Sequence, residues 1–205
     1  VNRQIEKIRN IISKYDDEGY LTGEAVLTDD LTEVSEKDFK MVNIASIITV
    51  FIIIAVAFKS IGIPIILISA IELAIQINMA IPYYLGQTIP FITSIIIGVI
   101  QLGSTIDYSI LMTDRFLHEY RKTKDLNNSL RVSVKETSKS IVTSALSFMA
   151  ATIGVGLYSK MEIVSTICMF LARGAIISML VIIILLPAIL SVTFPFVKKT
   201  TKNLV

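Results

Sequence analysis

Five apolar runs leave this chain few ways to fold. They are Met41–Phe58, Ile61–Leu85, Pro90–Met112, Ile141–Leu157 and Ile163–Phe196, separated by short polar or charged segments. A hydrocarbon core about 30 Å thick is crossed by about 20 residues of helix, and only a helix or a closed barrel can satisfy its backbone groups there. Runs of this length predict five spanning helices and exclude a water-soluble globule. Mean hydropathy is +0.71 and 53% of the 205 residues are hydrophobic. Most charges fall into two blocks, Arg3–Lys40 and Arg115–Lys139.

The fourth run is slightly short, and Ser138 and Ser140 can extend it at its start. The last, at 34 residues, exceeds one crossing. Its start, Ile163 to about Phe170, is expected to tilt or lie at the interface, with Pro187 bending it near the far end. Lys and Arg in short loops give the orientation. The connector between the third and fourth spans, residues 113–140, holds Arg115, Arg121, Lys122, Lys124, Arg131, Lys135 and Lys139. Tyr84–Ile89 has no charge and Ser159–Glu162 a single lysine. The connector is therefore expected in the cytoplasm, with Lys59, Lys198, Lys199 and Lys202 on the same side and the N-terminus outside. Its basic, partly amphipathic character suits a helix lying on an anionic leaflet, and a short basic loop beside a membrane needs no nucleic acid to explain it.

Residues 1–40 are the one soluble part. Ile5, Ile8, Ile11 and Ile12 recur at helical spacing, and YLTGEAVL, residues 20–27, reads as a turn and a strand, so a short α/β segment is expected before the first span. No apolar signal region opens the chain, and it reads as a piece of a longer polypeptide.

Three spans carry a charge: Glu72 in the second, Asp107 in the third, Arg173 in the fifth. An ionised carboxylate at membrane depth costs about 2.5–3.5 kcal/mol on insertion scales, so it persists where it faces protein or a wet pathway. At about 100° per residue, Ser94, Gly98, Gln101, Ser104, Thr105 and Tyr108 form a small and polar stripe on the third helix, with Gly103, Asp107 and Asp114 beside it. Such a surface suits close helix approach. Asp107 is then either a proton relay, with Tyr108, Ser104 and Thr105 stabilising its two protonation states, or fixed structural glue. Glu72, with Gln76 one turn on, and Arg173 have opposite signs that permit an ion pair; packing and function both remain open for Glu72. Asp114 and Arg115 mark the polar end of the third helix.

Cys168 and His118 are each alone, so no disulfide framework or metal spacing arises. No GxxxxGK[ST] loop and no catalytic constellation outside the membrane is present. Neither an enzyme nor a cofactor is expected.

The runs GSTIDYSILMTDRFLHEYRK, SKSIVTSALSFMAATIGVGL and LARGAIISMLVIIILLPAIL together resemble the membrane half of the MMPL family, within the resistance-nodulation-division (RND) superfamily of transporters. The resemblance covers about residues 20–200. It implies an all-α, five-helix half of an RND-type transporter with residues 1–40 as the end of an extracytoplasmic porter domain, 41–196 as the transmembrane domain and 197–205 as a cytoplasmic tail. The short tail favours the C-terminal half, helices eight to twelve. It further implies a secondary transporter of the cell membrane, driven by the proton-motive force and exporting lipids, drugs or other hydrophobic compounds. Asp107 would be the proton acceptor and Tyr108 its neighbour, in a seam with the other half; an oligomer is left open. Two other classes compete: a lipid-binding module like the sterol-sensing relatives, and an accessory of protein export resembling the SecD/SecF helices.

Overall fold

The computed structural model describes residues 2–16, 19, 21–86, 89 and 91–200. Tyr20 of the predicted strand, Pro90 of the third predicted span and Lys202 of the tail lie outside them. Seven α-helices follow in order: α1 Asn2–Tyr15, α2 Glu24–Phe58, α3 Gly62–Tyr84, α4 Phe91–Thr123, α5 Leu126–Tyr158, α6 Glu162–Leu180 and α7 Leu186–Thr200. A π-helical stretch, Val181–Leu185, joins the last two. Five helical segments are long and apolar enough to span: Lys37–Phe58, Gly62–Tyr84, Thr93–Thr123, Leu126–Tyr158 and Glu162–Thr200.

The chain divides into two compact units, Val1–Val42 and Asn43–Val205. In the first, Ile5 and Val26 are buried and Arg9 pairs with Asp30. The expected α/β segment is not found; among the described residues this unit is helical. Gly23 at φ +151° turns the chain, and its carbonyl accepts from Leu27 N at 2.9 Å, so Glu24–Leu27 is the first turn of α2 rather than a strand. The alternation of YLTGEAVL is too short to outweigh the helical run that follows it.

In the second unit the larger apolar cluster runs down the bundle, from Ile54 of α2 through Ile63, Leu67 and Ala70 of α3, Tyr108, Met112 and Phe116 of α4 and Ile141 and Ala145 of α5 to Ile182, Leu186 and Leu190, with a smaller one of Ile71, Ile75 and Leu102 beside it. Residues 43–58 meet it along one edge, through Ile54 with Ile47, Val50, Phe51 and Phe58, while Ile44, Ile48, Ile52, Ile53 and Val56 are exposed. The turns are specified locally. Lys59 and Lys124 take φ of 50° and 54° at the α2–α3 and α4–α5 corners, and Gly86, at φ 64°, ends α3 by donating to Tyr83 O. Asp125 caps α5 by accepting from Asn128 N at 3.2 Å.

One expectation, about the connector, changes. The basic connector does not form a separate helix along the membrane; its residues lie in the last turns of α4 and the first turns of α5. A helix of 33 residues is about 50 Å long, well beyond a hydrocarbon core, so the polar ends of both continue as a helical hairpin. Arg115 bridges to Glu136 across it, and the Thr123 and Ser129 hydroxyls meet at 3.0 Å. The long last run is helical from Glu162, and the Ser165 hydroxyl donates to Gly156 O of α5 at 2.8 Å. Pro187 has no N–H and its ring would meet the carbonyl of Ile183; the wider turn at Val181–Leu185 absorbs this without a break.

Apart from Lys160 in the α5–α6 turn, the basic segments between the described helices of this unit meet at one end. A side chain at Gly62 would collide with Thr200 and, at 2.9 Å, with Phe196, so the start of α3 touches the end of α7. Phe194 stacks edge-on against Tyr120 and Phe116 with centroids 4.5 and 5.9 Å away. Lys59, the α4–α5 hairpin and Lys198 and Lys199 therefore share that end.

Candidate functional site

Two polar sites lie within the membrane-spanning part. The first is on α4. Gly98, Gln101, Thr105 and Tyr108 are buried in the bundle, Ser94 and Ser104 half-buried, and Ile100, Gly103, Asp107, Leu111 and Asp114 exposed. The exposed set recurs every three or four residues and so forms one continuous stripe. Among the described residues no hydrogen bond or ion pair reaches the Asp107 carboxylate, and nothing lies within 4 Å of a side chain added at Gly103, one turn away.

The four relay residues are thus split between two faces. Asp107 is on the exposed stripe with Ser104 at its edge, whereas Thr105 and Tyr108 are turned into the bundle. The 100° step between neighbours separates Asp107 from Tyr108. The Thr105 and Ser104 hydroxyls both donate to Gln101 O, at 2.7 and 3.3 Å, so the helix backbone satisfies them.

The second site joins α3, α4 and α6. Asn78 Nδ2 donates to Gln101 Oε1 at 2.8 Å and to Phe170 O at 3.2 Å; Gln101 Nε2 donates to Ser178 Oγ at 3.0 Å and to Gly174 O at 3.4 Å. Arg173 completes the cluster, with Nε donating to Asn78 Oδ1 at 2.8 Å and Nη2 to Asn78 O at 2.9 Å, and its guanidinium carbon 4.4 Å from the Phe170 ring centroid. Gly174 makes the close approach of the helices possible, because a Cβ there would stand 2.6 Å from Gln101 Oε1 and 2.7 Å from Asn78 Nδ2. Buried amides are tolerated in the membrane when their donors and acceptors are paired, as here.

The ion pair that sign alone permits between Glu72 and Arg173 is not formed. Arg173 is bound to Asn78, six residues and so about 9 Å further along α3 than Glu72. Glu72 Oε1 is buried with no hydrogen-bond partner among the described residues, and Gln76 is exposed. Sequence reasoning missed Asn78, Gly174 and Ser178. The available signal was Asn78 itself, which continues the buried series Ile71, Ala74, Ile75 of α3.

At the basic end, Arg115 pairs with Glu119 at 3.1 Å and with Glu136, and Lys122 approaches Glu119 at 3.6 Å. His118 is exposed, Cys168 is half-buried, and no group of three metal-binding side chains occurs among the described residues.

The second unit is thus a bundle of apolar, membrane-length helices with charged side chains set inside three of its spans. The chain belongs to the MMPL family, which it matches over residues 1–204. Among curated relatives, it is 24% identical over 180 residues to the "Probable transport protein MmpL12" of Mycobacterium tuberculosis, covering 85% of this chain and 15% of that protein. It is 27% identical over 166 residues to the "Putative membrane protein ActII-3" of Streptomyces coelicolor, covering 79% and 23%. YdgH of Bacillus subtilis, also named a membrane protein, is 27% identical over 191 residues, covering 85% and 21%. The chain therefore spans about a sixth to a quarter of the length of these relatives.

Proposed function

We propose that this chain is one transmembrane half of a proton-driven secondary transporter that exports lipids or other hydrophobic compounds across the cytoplasmic membrane, with Asp107 as the proton carrier. One observation carries the reading: a carboxylate stands exposed and unpaired on the spanning part of α4. Facing lipid while ionised it would cost about 2.5–3.5 kcal/mol. Family membership and relatives named as transport or membrane proteins support a seam with a second, similar half as the cover for that face. The small notch at Gly103 lets a partner helix come close.

In this reading Asp107 takes a proton in the seam and loses its charge, so the two halves repack, and releases it in the other state. Moving one charge through the whole membrane field is worth about 2.3 kcal/mol per 100 mV. Ser104 borders the seam, while Thr105 and Tyr108 fix the rotation of α4 from within the bundle. The excess of Lys and Arg at the basic end supports a cytoplasmic location for that end and an outside N-terminus.

The test is Asp107→Asn in the full-length protein, reconstituted in vesicles under an imposed pH gradient. Gradient-driven substrate movement is expected to vanish while the protein stays folded. Coupling at the wild-type level would overturn the proposal.

A further inference from the structure

Arg173 is the one charge on α6 after Glu162, which stands eleven residues or about 16 Å away along the helix. A guanidinium does not give up its proton in a protein, so its charge persists at membrane depth. Here both of its protein acceptors, Asn78 Oδ1 and Asn78 O, are neutral, and no carboxylate pairs with it among the described residues. Two of its five N–H donors are used, leaving three for a ligand. The side chain is half-buried, so that edge is not sealed inside the bundle.

We propose that the free edge of Arg173 binds one oxyanionic headgroup, a phosphate or a carboxylate, of an amphiphile in the leaflet away from the basic end. The planar fork matches either oxyanion in a two-bond contact, and Asn78 together with the Phe170 ring holds it in one orientation before the ligand arrives. Depth agrees. Tyr83 and Tyr84 are 85% and 83% exposed at the end of α3, where an aromatic belt sits at the membrane interface. Asn78 lies about 9 Å beneath them by helix rise, within reach of a headgroup that an arginine draws inward or reaches out to. The site requires no proton step at Asp107 and stands independently of it.

Native mass spectrometry of the full-length protein tests this with four probes: phosphatidylglycerol, diacylglycerol with the same acyl chains, oleate and oleyl alcohol. A bound phosphatidylglycerol or oleate that the headgroup-free analogues do not reproduce is the expected result. Phosphatidylglycerol alone identifies a lipid phosphate as the ligand, and oleate alone identifies a carboxylate amphiphile such as cargo. Mutual displacement shows that one site takes both. Arg173→Gln should weaken binding by about tenfold or more, and Arg173→Lys, which keeps the charge but not the fork, by about threefold to tenfold. Asn78→Asp supplies an internal counter-charge at nearly the same shape and should remove the headgroup preference even if Arg173→Gln does not fold. Equal binding of the charged and uncharged probes, or wild-type selectivity in Arg173→Lys and Asn78→Asp, would overturn the site.

Discussion

Asp107 on α4 and Arg173 on α6 are both charges placed in apolar helices, and the bundle treats them in opposite ways. Arg173 is bonded to a side-chain amide and a backbone carbonyl and laid on an aromatic ring, with Gln101, Ser178 and Gly174 bracing the amide. Among the described residues, no hydrogen bond or ion pair reaches Asp107. The chemistry of the two groups accounts for the contrast. A guanidinium stays charged in every state and has to be solvated permanently, whereas a carboxylate can discard its charge by taking a proton. If Asp107 changes state as proposed, it gains from having no fixed partner on its own helix bundle. Glu72 lies between the two cases, with one oxygen buried and unpartnered.

If the contrast holds, stability and coupling separate. Asp107→Asn should abolish gradient-driven transport and leave the melting temperature within about 2 °C of wild type, since Asn keeps the shape and no fixed partner is lost, a change usually worth under about 0.5 kcal/mol. A large loss of stability would instead make Asp107 structural glue. The three-helix cluster should behave the other way. Gly174→Val drives a branched side chain into positions that Gln101 Oε1 and Asn78 Nδ2 hold at 2.6 and 2.7 Å from even a single added Cβ. Overpacking of this kind costs about 1–3 kcal/mol, and thermal unfolding in detergent should show it directly. Asn78→Ala comes next: it removes the acceptor of Arg173 Nε and the donor to Gln101 and Phe170 O, for a loss of about 1–3 kcal/mol. Gln101→Leu, which strands fewer charged groups, should lose less than Asn78→Ala. The reverse order would mean that the amide pair, and not the mounting of Arg173, holds the cluster together.

The five spans were legible because hydropathy over about 20 residues is a strong and local signal. The start of α2 was not: the eight residues of YLTGEAVL alternate as a strand would, and what decides them is the long helix that follows. Reading spans by hydropathy also cut α4 and α5 short, because their polar turns are amphipathic rather than apolar. Phe116 and Tyr120, spaced by one turn and packed on Phe194 of α7, were the visible trace of α4 running past its apolar span. On α4 the rotation of Asp107 away from Tyr108 follows from helix geometry alone. Which of the two faces the bundle claims did not, since both flanking stripes carry small residues. The Asn78–Gln101–Arg173 cluster depends on pairs 23 and 95 residues apart in sequence, which no periodicity within one helix reveals.

The smallest effect is expected at the polar hairpin, where charges meet water. Arg115 is 33% and Glu136 48% exposed, and their pair joins α4 to α5 beyond the apolar spans. Exposed pairs are worth about 0.2–1 kcal/mol and are screened by salt. Glu136→Gln should therefore lower the unfolding temperature slightly at low ionic strength, with the difference closing as salt rises toward about 1 M, where the screening length falls to about 3 Å. Arg115 keeps Glu119 at 3.1 Å in that variant, so its charge is never stranded. A salt-independent loss as large as that of Gly174→Val would show the hairpin to be held by this pair. A small, salt-sensitive one leaves the Thr123–Ser129 hydroxyl contact and the Asp125 cap to hold the corner, and so separates a surface charge that can be given up from the Arg173 charge that cannot.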